Sequence, residues 1–339
     1  MNARNSWTGI FPAAGMLFLI IDSHTAAAGM QSGIELCLKT IIPSLFPFFI
    51  LSFLLTGNLT GCNLKILRPF SRFCGIPEGA ESLLITGFLG GYPVGAQNTA
   101  LACQRGSISA EDAQRMLAFC SNAGPAFLFG IVGPLFDSPR YAWVLWGIHI
   151  TSALIVGAIT GKSSTKAAAI AHQSAFTLTQ ALQKSLSVMA QVCGWVVLFR
   201  MILAYLDRWL FWLLPQGAQI FAAGLLELSN GCIRLQAIDR DGIRFTAASF
   251  LLAIGGLCVT LQTSSVTRGL SLQYYYPGKL LQGALSILLS ICAQVFFPEA
   301  HRMENGALIL ALSCIASLIA IGFLRKNQKN SSIPLSVGV

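Results

Sequence analysis

The sequence predicts an all-α polytopic membrane protein with about eight transmembrane helices and two re-entrant helical hairpins arranged as an inverted repeat. Three observations carry this. First, 54% of the 339 residues are hydrophobic and only 10% are charged, against roughly 25% charged in soluble domains. Second, the apolar residues gather into segments near the ~20 residues that cross ~30 Å of hydrocarbon. Third, two of these segments, in corresponding positions of the two halves, are broken by Gly, Pro and polar residues. Paired discontinuous helices of this kind mark substrate sites in secondary transporters.

The N-terminus has Arg4, an apolar run over 9–21 and then Thr25-Ala26-Ala27-Ala28-Gly29. This resembles a signal peptide, although the short polar start and the multi-span context favour a retained first span, so 1–32 is read as an anchor. The remaining expected spans are 41–57, 116–136, 141–161, 186–206, 245–262, 280–297 and 307–324, and the broken segments are 80–103 and 209–233. Repeat units follow at 33–161, with a linking span, and at 184–324, with closing spans, joined by a cytoplasmic loop and amphipathic helix over 162–183 and closed by a cytoplasmic tail over 325–339.

Cationic connections orient the chain. Lys65, Arg68 and Arg72; Lys162, Lys166 and Lys184; Arg268 and Lys279; and Arg325, Lys326 and Lys329 all become cytoplasmic by the positive-inside rule. The assignment is consistent only if both broken segments dip in and return to their own face. Each half then reads as an amphipathic approach helix, a span, a hairpin and a second span, in opposite orientations. Both termini are cytoplasmic, and Arg234, Arg240 and Arg244, accompanied by Asp239 and Asp241, fall outside.

Irregular backbone in a bilayer must face protein or a water-filled cavity. In the first hairpin Gly90, Gly91 and Gly95 permit positive φ and close approach, while Pro93 removes a donor. Together with Tyr92, Gln97 and Asn98 they form a candidate substrate-binding break. Half-helix N-termini there suit an anionic group; the alternative is a tight turn closed by packing. Ser121-Asn122-Ala123-Gly124-Pro125 interrupts the next span, and Gly255-Gly256 with Gln262 is its second-half counterpart. These also read as a proline kink and a small-residue contact. Glu227, followed by Ser229, Asn230 and Gly231, is an acid inside an apolar segment. It is a candidate for carrying a coupling proton or cation, with a structural acid bonded to Asn230 or a pair with Arg200 as alternatives.

Other chemistries are set aside. Ten cysteines are spread along the chain with no C-x-x-C pair, and His24, His149, His172 and His301 are dispersed, so no metal site, cofactor or disulfide framework is expected. His149 lies within a span, as a proton shuttle or a buried neutral imidazole with one partner. Residues 157–163 imitate a phosphate loop with one residue too few between the glycines. No nucleophile and base pair suggests an enzyme. The net charge of +9 comes from cations between apolar segments, so the expected partners are the lipid bilayer, a small anionic metabolite, a coupling proton or cation and a second copy of the chain, and no nucleic acid.

Several motifs together resemble a known family. They are Ile42-Pro43-Ser44-Leu45-Phe46-Pro47-Phe48, Gly87-Phe88-Leu89-Gly90-Gly91-Tyr92-Pro93-Val94-Gly95-Ala96, Ser121-Asn122-x-Gly124-Pro125, Gly224-Leu225-Leu226-Glu227-Leu228-Ser229-Asn230-Gly231 and Gly255-Gly256-Leu257. They look like the sporulation integral membrane protein YlbJ family, within the wider set carrying the nucleoside-recognition or gate domain, itself similar to part of the concentrative nucleoside transporters. The resemblance covers about 33–297. It implies a multi-pass protein of the outer forespore or mother-cell membrane of endospore formers, required for sporulation and associated with moving dipicolinate, a small aromatic dianion, into the spore. A non-transporting spore-envelope assembly or signalling protein and a nucleoside transporter are the other readings.

Overall fold

The computed structural model describes residues 6–59, 64–161 and 176–296. Among these residues it is helical without strands: α1 (Ser6–Ile21), α2 (Ser23–Leu36), α3 (Ile42–Leu59), α4 (Arg68–Phe73), α5 (Ser82–Leu89), α6 (Val94–Gln104), α7 (Ala110–Cys120), α8 (Pro125–Phe127), α9 (Arg140–Thr160), α10 (Leu178–Trp209), α11 (Gln216–Leu226), α12 (Leu228–Arg234), α13 (Asp241–Ile254), α14 (Gly256–Val266) and α15 (Tyr275–Phe296).

Among the described residues, six helical runs are long and apolar enough to cross a membrane: Ser23–Leu55, Ala110–Leu135, Arg140–Thr160, Leu178–Trp209, Asp241–Val266 and Tyr275–Val295. Each contains or overlaps one expected span. The expected first span corresponds to a shorter apolar helix, Pro12–Ile21. The span at 307–324, the tail cations and Lys162 and Lys166 lie outside the described residues. The broken segments produce only short helices, the longest being α6 and α11 with 11 residues each. At 1.5 Å per residue these rise about 16 Å, half of what a crossing needs.

One expectation is corrected. The approach helices are not separate from the spans that follow them: α2 runs on into α3, and α10 is continuous for 32 residues. At the α2–α3 junction the obstacle is Pro43, which has no N–H to give to a carbonyl one turn back. A widened turn over Cys37–Ile41 absorbs it, with the Ile42 N–H donating to the Cys37 carbonyl five residues earlier. The same device recurs at Leu128–Val132, where the Gly133 N–H donates to the Leu128 carbonyl immediately before Pro134. Such π-turns let a proline enter a helix without breaking its course. Helix α10 begins on a capping box, Thr177 with Gln180, and meets no proline.

The order of elements repeats. A long helix (α2–α3, then α10) is followed by a pair of short helices (α5–α6, then α11–α12) and by an interrupted span (α7–α8, then α13–α14). The two long helices pack on each other through Gly29 and Gly33. A Cβ on Gly29 would lie 2.8 Å from Cβ of Ala204, so small residues permit the close approach that dispersion packing between membrane helices requires. Helix α15 packs between α7, α9 and α13.

Candidate functional site

In the first hairpin α5 ends at Gly90, Gly91 turns the chain at φ 71° and α6 restarts at Val94. The two arms sit closely against the end of α7: a Cβ on Gly95 would come within 2.2 Å of the Cys120 carbonyl. The second hairpin reverses at Glu227 and closes just as tightly, a Cβ on Gly231 falling 2.1 Å from Cα of Gly224. Between α7 and α8, residues Ser121 to Gly124 leave the helix before Pro125 starts the next. Helix α13 ends at Gly255 with φ 76°, and Gly256, at φ 78°, opens α14.

These four interruptions, far apart in sequence, meet. Gly91 abuts the Gly124 backbone, and Gly256 abuts the Gly224 and Leu225 carbonyls. The Tyr92 hydroxyl donates to the Leu252 carbonyl at 3.2 Å and touches Gly255. Ser121 Oγ lies 3.4 Å from Thr263 Oγ1. Beside them is a cavity walled by Gly90, Gly91, Tyr92, Gly124, Glu227, Ser229 and Gln262, with Ile41, Leu45, Phe49, Val192 and Val196 of the two long helices completing its apolar side. Of the other expected site residues, Pro93, Gly95, Ser121, Asn122, Pro125, Asn230, Gly231, Gly255 and Gly256 belong to the breaks without lining this cavity. Gln97 and Asn98 lie on α6, where the buried Gln97 Oε1 and Asn98 Nδ2 have no partner.

Glu227 is 2% exposed. Its carboxylate accepts from the Ser229 N–H at 3.0 Å, the Asn230 N–H at 2.8 Å and Asn230 Nδ2 at 2.6 Å, capping α12. Of the two alternatives for this acid, the bond to Asn230 is the one formed, whereas Arg200 donates to Ser32 at 3.1 Å and approaches Asp207 at 4.0 Å. The carboxylate thus occupies the N-terminus of α12.

Lys279 is the residue that sequence reasoning misplaced. Counted there among cytoplasmic loop cations, it lies in the second turn of α15 and is 3% exposed. Its ammonium donates to the Ser121 carbonyl, to Gln282 Oε1 at 2.9 Å, and to Tyr92 Oη and Asn122 Oδ1 at 3.4 Å each. All four are neutral acceptors. Arg115, also buried, has Asp112 at 2.8 Å, whereas among the described residues Lys279 has no carboxylate partner. Arg268 alone is then left to orient the 268–279 connection. A signal was present: from Lys279 the sequence runs Gln282, Ser286, Ser290 and Gln294, a polar stripe at helical spacing on an apolar helix. It bonds to Asn122, Ser152 and Thr246. His149 takes the one-partner form, Nε2 accepting from the Ala123 N–H at 3.1 Å while Nδ1 has no partner.

Fold and site together define a polytopic α-helical membrane protein whose helix breaks converge on a shared polar centre. In sequence the chain is similar to the sporulation integral membrane protein YlbJ of Bacillus subtilis (strain 168), with 33% identity over 155 residues covering 43% of this chain. The match spans 37% of that relative's length. No family model matches the chain, and no solved structure matches it.

Proposed function

We propose that the protein is a membrane carrier for a small carboxylate anion, with dipicolinate as the best candidate, working by alternating access during sporulation. The observation that carries this is the meeting of all four helix interruptions beside one cavity, with two short helix pairs in corresponding places of the two halves. Broken helices cost unpaired backbone groups, and transporters place them where they face a binding site. In this reading the repeats have inverted topology and the hairpins are re-entrant, so rocking one unit against the other opens the site to each face in turn. Glu227, on the cavity wall, carries the coupling proton. The similarity to YlbJ supports a role in the sporulating cell, in the outer forespore or mother-cell membrane. The test is reconstitution of the full chain into liposomes with labelled dipicolinate and, in parallel, labelled uridine. Saturable uptake of dipicolinate is expected. Uptake of uridine alone would move the reading to a nucleoside carrier, and uptake of neither to a non-transporting assembly protein.

A further inference from the structure

We propose that Lys279 is the countercharge that receives the carboxylate of the transported anion, an inference that rests on the carrier reading above. A buried ammonium is costly unless it is paired or fully hydrogen-bonded, and among the described residues this one bonds to neutral oxygens alone. The partial negative charge at the C-terminus of α7, where Ser121 is the capping residue, offsets part of the cost. A full negative charge beside Nζ would offset the rest. The placement also fits: three of the four acceptors, Ser121, Asn122 and Tyr92, belong to residues of the breaks, and Tyr92 among them lines the cavity.

Tyr92 stands between the cation and the cavity. Its ring forms part of the cavity wall, its hydroxyl accepts from Nζ, and Nζ lies 5.3 Å from the ring centroid. A carboxylate entering past Gly91 and Gly124 meets Nζ once the Tyr92 hydroxyl gives way, exchanging one neutral acceptor for a charged one. Glu227 also lines the cavity, so repulsion from its carboxylate directs an anion toward α15. Charge-assisted hydrogen bonds of this sort are roughly twice as strong as neutral ones.

The test uses the full chain. In wild type, dipicolinate is expected to raise the thermal unfolding midpoint, and its uncharged diamide is not; equal shifts from the two would overturn the countercharge role without any variant. In liposomes, Lys279→Met is expected to raise the KM for dipicolinate by about ten- to a hundred-fold, the worth of one hydrogen bond to a charged group, and Lys279→Arg to recover part of that loss. A folded Lys279→Met protein with wild-type KM, or one that loses only kcat, would show Lys279 to be structural and leave the carrier reading standing. No saturable wild-type flux and no thermal shift would remove the carrier reading and the Lys279 role together. If Lys279→Met does not fold, the comparison of dianion and diamide on wild type decides.

Discussion

Glu227 and Lys279 are both buried charges at the helix breaks, and the sequence exposed one of them and concealed the other. An acid between apolar residues and followed by Ser229, Asn230 and Gly231 stands out because nothing else in that segment needs charge. A lysine at the start of a span looks like the cation that every inside loop carries, and only the polar stripe below it on α15 separates the two cases. The contacts of Glu227 divide its roles into testable parts. As a cap it accepts two backbone N–H groups, so Glu227→Ala should destabilise the protein by about 1–2 kcal/mol, measured by thermal unfolding in detergent. Glu227→Gln keeps the shape and one good acceptor while losing the ionisable group. Uptake that persists in this variant but no longer changes with pH is the expected result, and uptake with an unaltered pH profile would remove the coupling role.

At the scale of elements, the breaks were legible and their closure was not. Gly and Pro at 90–95, 124–125 and 255–256 announce that a helix stops, but which glycine is required by a neighbour's backbone depends on how the arms fold back. The closest approaches fall at Gly95 and Gly231. Gly231→Ala should cost about 1–3 kcal/mol through overpacking against Gly224, seen as a lower unfolding midpoint and a smaller folded fraction. Gly194 is the control. It lies inside α10 with nothing within 4 Å of an added Cβ, so Gly194→Ala should be neutral or stabilise by up to about 1 kcal/mol. Equal destabilisation by both changes would mean that the hairpin is not closed as described. The fusion of α2 with α3 was hidden for a related reason: a proline such as Pro43 suits a helix start, and the π-turn that accommodates it leaves no mark in the hydrophobic pattern.

For the whole molecule, the repeated order of elements and its orientation are separate matters. The order can be followed along the chain, from long helix to short pair to interrupted span in each half. The orientation came from counting cations, and the burial of Lys279 removes one of the residues counted. What survives is a parity argument. In the proposed re-entrant arrangement a hairpin that starts on one face returns to it, and an odd number of full crossings between the two hairpins puts their returns on opposite sides. Among the described residues three candidate spans lie between α6 and α11, Ala110–Leu135, Arg140–Thr160 and Leu178–Trp209. Position 105, just after α6, and position 236, just after α12, are both exposed and so report on this parity directly. In a background with the native cysteines replaced, Arg105→Cys and Gln236→Cys should react with a membrane-impermeant thiol reagent from opposite faces, with position 105 on the cytoplasmic side. Labelling of both from one face would mean an even number of crossings. The two hairpins would then share one orientation, and rocking of inverted units could no longer expose the site alternately.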